Sequence, residues 1–164
     1  FTTDEERKSN TIREIVKEAE NLSSDDNARS QYLLGEAYFL AGRFSAANES
    51  LEKAVLLNPL NADYIGAFAL AQWEFGNPDC AEEYLKISQI LDPENGQYDF
   101  VLGMLAEARR DRRSTRAFYR SAIKKLEGTD LPERLRDKQI AEDAIERLRE
   151  RPAFRFGEGS IPFI

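Results

Sequence analysis

One spacing governs this 164-residue chain: a 34-residue block is written twice in succession. Residues 28–61 carry Leu34-Gly35, Tyr38, Gly42, Ala47, Leu51, Ala54 and Pro59. Residues 62–95 carry Phe68-Ala69, Gln72, Gly76, Ala81, Leu85, Ser88 and Pro93 at the same offsets. A unit that short cannot bury its own apolar face. Copies at a fixed period therefore stack on one another and share a continuous core.

Each block reads as a helical hairpin. In the first, helices are expected over 27–41 and 44–57 with Gly42 at the turn, because glycine tolerates the left-handed backbone that ends helices. Asn58-Pro59 closes the second helix, since proline neither continues a helix nor favours one just before it. The next block repeats the plan with Phe75-Gly76-Asn77-Pro78 at its turn and Asp92-Pro93 at its end. Pro78 suits the start of a helix, where its missing N–H costs little. The large-small pairs Leu34-Gly35, Phe68-Ala69 and Leu102-Gly103 fill a hole and then permit close approach. Ala47 and Ala81 do the same from the facing helix, and Leu51 and Leu85 fill the space between hairpins.

The blocks resemble tetratricopeptide repeats. The large-small pair, the small residue where the helices cross, the aliphatic-small pair of the second helix and the closing proline carry the likeness. Residues 96–129 form a degenerate third copy: Leu102-Gly103, Tyr119 and Ala122 match. Arg110 stands at the turn glycine, Thr115 at the crossing position, and no proline closes the block. The resemblance implies an all-α fold, a right-handed superhelical array of antiparallel hairpins that holds another polypeptide in its concave groove.

The flanks read as caps. Residues 1–24 make a helix with Thr3 or Asp4 as its cap and Ile12, Ile15, Val16, Ala19 and Leu22 on one face. Ser23-Ser24-Asp25-Asp26 ends it. Residues 25–130 hold the three hairpins (28–61, 62–95 and 96–129). A second capping helix over 131–151 lines up Leu135, Ala141, Ala144, Ile145 and Leu148. The tail, 152–164, is apolar and non-helical: Phe154, Phe156, Ile161, Phe163 and Ile164 surround two glycines and a proline. Left exposed, such a cluster is a solubility liability. It is expected to dock on its own chain, with a partner or a neighbouring copy as the alternative.

Composition narrows the function. The chain has no histidine and one cysteine, Cys80. That removes the commonest general base and metal ligand together, so neither an enzyme, a cofactor nor a metal site is expected. Residues 1–95 hold 8 Lys+Arg against 18 Asp+Glu, and residues 96–164 hold 15 against 12. An acidic front half argues against nucleic acid, which needs a continuous basic surface. The longest nearly apolar run, 65–75, is too short to span a bilayer. A soluble, cytoplasmic protein is expected, and Phe1 in place of Met is compatible with a removed leader.

In the family the first helix of each hairpin lines the groove. Periodicity places Tyr32, Glu36 and Phe39 there, then Leu70 and Trp73 beside Gly66, then Gln97, Phe100, Met104 and Glu107. This predicts an apolar, mildly acidic groove for a peptide or helix of apolar and basic character. One subclass clamps a C-terminal carboxylate with Lys, Asn and Arg. The corresponding places here hold Tyr32, Glu36, Ala67, Gln97 and Val101, so no such clamp is expected. A second candidate surface is the basic run Arg109, Arg110, Arg112, Arg113 and Arg116, extended by Arg120, Lys124 and Lys125. Either it docks an anion, an acidic peptide or another copy, or it is a solvated turn paired with Glu107 and Asp111. The resulting expectation is a non-enzymatic adaptor, scaffold or assembly factor. The alternative is a chaperone on the plan of the three-repeat chaperones of type III secretion.

Overall fold

A computed structural model describes residues 3–22, 27–128 and 130–150. These residues form eight helices and no strand. Helix α1 spans Asp4–Asn21, and the first hairpin pairs α2 (Asn27–Leu40) with α3 (Phe44–Leu57). The second pairs α4 (Ala62–Glu74) with α5 (Pro78–Leu91), and the third pairs α6 (Gly96–Ala108) with α7 (Arg112–Lys125). Helix α8 covers Pro132–Glu150. Each helix packs on the next in chain order, and α8 also reaches back to α6. The fold is an all-α array of stacked antiparallel hairpins with a helix at either end. The residues 23–26 expected to end α1, and the whole tail including Phe154, Phe156, Ile161, Phe163 and Ile164, lie outside the described residues.

Local chemistry sets the helix ends. Thr3 caps α1 through a reciprocal pair: its hydroxyl accepts from the Glu6 N–H at 3.2 Å, and the Glu6 carboxylate accepts from the Thr3 N–H at 2.9 Å. Asn61 Oδ1 accepts from the N–H groups of Asp63 and Tyr64, and Asn95 Oδ1 from that of Gln97, so equivalent asparagines start α4 and α6. All three hairpin turns share one hydrogen-bond pattern. Gly42, Gly76 and Arg110 donate to the carbonyls of Phe39, Trp73 and Glu107, each at 2.9 Å. The next residues, Arg43, Asn77 and Asp111, reach back to Tyr38, Gln72 and Ala106 at 2.8–2.9 Å. This doubly bonded helix end requires a left-handed residue, and φ is 73° at Gly42, 97° at Gly76 and 60° at Arg110. The third turn keeps its geometry although an arginine replaces the glycine.

The core is divided among the seams. Ala47, Leu51, Phe68 and Ala71 join the first hairpin to the second. Ala69, Ala81, Leu85, Tyr98, Leu102 and Leu105 join the second to the third. Phe100, Tyr119, Ala122 and Leu126 meet Ala141, Ala144 and Ile145 of α8. The small member of each large-small pair is used as expected. A Cβ on Gly35 would lie 2.4 Å from Leu51 Cγ, and one on Gly103 would lie 2.5 Å from Tyr119 Cδ1.

Candidate functional site

The groove-facing set divides into three groups. Glu36, Phe39 and Leu70 converge on a cavity of about 390 Å³ between α1, α2 and α4. Leu40, Leu51 and Ala67 complete its apolar lining, and α1 closes one side with Thr11 and Ile15. A second, shallower cavity of about 310 Å³ shares Phe39 and Leu40 and continues to Lys8, Gly42, Phe44 and Glu74. Together they form a channel along the first two hairpins. The apolar face of α1 is divided. Ala19 is buried and its carbonyl accepts from the Ser30 hydroxyl at 3.1 Å, while Ile15 is left half-buried in the channel wall.

Tyr32 adjoins the channel through Glu36 and is not free. Its ring stacks on Tyr64 with centroids 4.8 Å apart, and its hydroxyl donates to Glu36 at 2.6 Å. Burial, followed by that bond to a carboxylate, pushes the phenol well above its ordinary range. Trp73 is half-buried and packs against the cluster of Tyr98, Leu102 and Leu105, so it braces the next hairpin. Gly66 is occupied from the same side: a Cβ there would meet the Tyr98 ring at 2.8 Å.

The third hairpin corrects the expectation. Phe100 is only 6% exposed. Its ring lies 5.9 Å from that of Tyr119, under α8. Met104 packs against the same cluster. The last helix covers the face that the first two hairpins leave accessible, so Phe100 and Met104 are core contacts. Glu107 is exposed, but it accepts from the Tyr119 hydroxyl at 2.8 Å and pairs with Arg147 at 3.5 Å. It lines a separate cavity of about 460 Å³ with Arg110, Arg112, Thr115 and Leu148.

The basic run does not form one continuous patch. Arg109 crosses to α5, pairing with Asp79 at 2.5 Å and with Glu82. Arg112 donates to the Leu148 carbonyl of α8 at 2.7 Å. Asp111 caps α7 through the N–H groups of Arg113 and Ser114. Arg116 turns inward, with Nε buried. Two members of the run are therefore stitches, Arg109 from the end of α6 to α5 and Arg112 from α7 to α8, contacts beyond the local pairing with Glu107 and Asp111 that the sequence suggested for its solvated alternative. Cys80 is a half-buried free thiol.

Among the described residues, no group of three His, Cys, Asp or Glu side chains is placed to hold a metal ion. No described helix is long and apolar enough to cross a membrane. The stacked hairpins, their left-handed turns and the interlocking glycines define a tetratricopeptide-repeat-like fold. Solved structures place the chain in that architecture. The translocator chaperone SycD of Yersinia enterocolitica type III secretion aligns with a TM-score of 0.71 at 13% identity, over 79% of this chain and 88% of that one. PcrH, solved in complex with the chaperone binding region of PopD, aligns with a TM-score of 0.70 at 17% identity, over 79% and 96%. The tetratricopeptide domain of Sgt2 from Aspergillus fumigatus aligns with a TM-score of 0.62 at 18% identity, over 81% and 90%. No family model matches the sequence, and no curated protein sequence matches it significantly.

Proposed function

We propose that this protein is a non-enzymatic interaction module that holds an apolar, basic-flanked helix or extended segment of a partner protein. The observation that carries the reading is the channel in which Glu36, Phe39 and Leu70 meet Ile15 of α1. Among the described residues, its main cavity is lined by aliphatic and aromatic side chains with one hydroxyl, one carboxylate and no cation. Such a surface takes apolar anchors spaced one helical turn apart and favours a nearby Lys or Arg on the ligand. It is poorly matched to a carboxylate tail, whose recognition needs several cationic and amide donors, since among the described residues only Lys8 of the adjoining cavity supplies a cation.

The likeness to SycD and to PcrH bound to a region of PopD supports a narrower form of this reading, a chaperone that shields the apolar segment of a client. The two forms differ in consequence. A chaperone keeps its client soluble, whereas an adaptor bridges partners that are stable alone.

The test uses amphipathic peptides of one apolar pattern with either Lys or Glu on the polar face, titrated while the fluorescence of the single tryptophan is followed. Trp73 sits one helical turn from Leu70 and serves as the reporter. Lys-bearing peptides are expected to bind more tightly than Glu-bearing ones. Leu70→Glu, at a half-buried position, is expected to weaken them by at least about tenfold, the effect of roughly 1.4 kcal/mol. Equal binding by Leu70→Glu with an unchanged circular dichroism spectrum would rule the channel out.

A further inference from the structure

The sharpest departure from an ordinary surface lies outside the channel, on the second helices of the first two hairpins. Leu56 is 74% exposed, Leu60 77% and Ile90 78%. Leu57, Ile87 and Leu91 are exposed beside them. Single exposed leucines need no explanation, but five aliphatic side chains in the last turns of α3 and α5, with Leu60 just past α3, are a concentration of apolar surface. They leave on the order of 600 Å² open, close to one partner's share of a standard interface once polar neighbours are included. The pattern stops at the third hairpin. Lys124 and Lys125 stand there at the positions of Leu56–Ile90 and Leu57–Leu91.

The repeat makes four of these positions complementary to one another, while Leu60 and Ile87 have the charged equivalents Glu94 and Lys53 and lie outside the pairing. Leu56 and Ile90 are equivalent, as are Leu57 and Leu91. A two-fold axis running along the helices sets α3 of one copy against α5 of the other, so that Leu56 meets Ile90 twice. The charges one turn earlier fit the same operation. Glu52 lies four residues before Leu56, and its equivalent four residues before Ile90 is Lys86, so both fall on the apolar face of their helices. Facing copies thus place Glu52 opposite Lys86 at two symmetric points. Lys86 already contacts Glu82 at 2.6 Å yet stays half-exposed, which leaves it able to serve both carboxylates. Glu49 and Glu83, another turn back, are equivalent and like-charged, and they limit the contact to the final turns of the helices.

We infer that the α3–α5 face is a homodimer interface, with a second copy of this chain as its occupant. It uses the exposed side chains of Leu56 and Ile90, and not Phe44 and Leu51, the α3 side chains that line the channel, so it stands independently of the peptide-binding reading. Sedimentation equilibrium of the whole chain is expected to give a species of two chains. Leu56→Glu with Ile90→Glu is expected to give one chain while the far-ultraviolet circular dichroism spectrum holds, since both residues are exposed. Glu52→Lys is expected to weaken the dimer about five- to tenfold by placing two lysine pairs in opposition, and Glu52→Lys with Lys86→Glu to restore it. In a Cys80→Ser background, Leu56→Cys and Ile90→Cys chains are expected to cross-link when mixed and not when separate. A single chain at high micromolar concentration overturns the inference. So does a two-chain species that survives the paired glutamates. Failure of the charge swap to restore association, or cross-linking only within each separate variant, overturns the proposed pairing.

Discussion

The seam between the first and second hairpins and the seam between the second and third solve one packing problem with different chemistry. The first relies on apolar and neutral groups. Leu51 and Phe68 interlock, Tyr32 stacks on Tyr64, and Gln72 donates to Asn48 at 2.9 Å while accepting from Asn77 at 2.9 Å. The second adds charge. The Tyr98 hydroxyl donates to Asp63 at 3.0 Å, Arg109 spans to Asp79 and Glu82, and Asp99 is buried. Asp99 accepts from Lys125 at 2.6 Å and from Gln89 at 2.8 Å, tying together α5, α6 and α7. The repeat supplies an internal control. In the second hairpin the positions of Asp99 and Lys125 are held by Ile65 and Leu91. One scaffold thus carries two apolar residues and an ion pair at equivalent places, and only the ionic version depends on both partners being present.

The largest expected effect comes from breaking that ion pair. Asp99→Ala strips the partner from Lys125 and Gln89 and removes a buried acceptor. It is expected to cost roughly 3 kcal/mol, the low end for a buried pair because Lys125 keeps some contact with water. Copying the second hairpin, with Asp99→Ile and Lys125→Leu together, is expected to be neutral or stabilising by about 1–2 kcal/mol, since no charge then needs desolvation. Urea denaturation of the single and double variants checks both. A double variant as weak as Asp99→Ala would mean that the buried charges confer more than mutual neutralisation.

A smaller effect is expected at the turns. Gly76 and Arg110 occupy equivalent turns with the same hydrogen bonds, yet only Gly76 adopts positive φ without a Cβ penalty. Arg110→Gly is expected to stabilise the chain by about 0.5–1 kcal/mol, the backbone relief less the entropy that glycine adds to the unfolded state. Gly76→Arg is expected to destabilise it by about 1 kcal/mol. Thermal melts of the two variants measure the asymmetry, and equal shifts of the same sign would deny that the third turn is strained.

What was legible in the sequence follows from the same contrast. Periodicity and turn chemistry are local, so the stacked hairpins, the glycine turns and the close approach at Gly35 could be read from spacing alone, whereas the partner that fills the place of its missing Cβ, Leu51 of the same hairpin, could not. The set of residues around the channel is a tertiary property. Phe100 and Met104 occupy groove-facing register, but α8 settles on that face, and a periodic pattern does not say which faces a capping helix will cover. Ile15 reads in the sequence as part of a cap. Its position on α1 four residues before the buried Ala19 was a usable signal that one end of that apolar face extends past the contact with α2. The exposed Leu56 and Ile90 were equally visible as apolar residues four positions after charged ones. Exposure depends on what packs above them, and that required coordinates.

The smallest effect expected is a pH dependence at the charged seam. Glu82 is held below the ordinary carboxylate range, first by its bond to Lys86 and then by Arg109. A carboxylate depressed in the folded state contributes its full stabilisation above its unfolded value near 4.5 and loses it as pH falls through the lower folded value. Partial exposure of all three side chains limits the contribution to about 1 kcal/mol or less. Glu82→Gln should therefore reduce stability at neutral pH, and the gap to the parent chain should close between pH 4.5 and more acidic values. Comparison with Gln72→Ala separates the seams: that neutral bridge between Asn48 and Asn77 is expected to leave a gap that does not change over the same interval. If the Glu82 gap also stayed constant on acidification, Arg109 would act at this seam through packing of its side chain and not through charge.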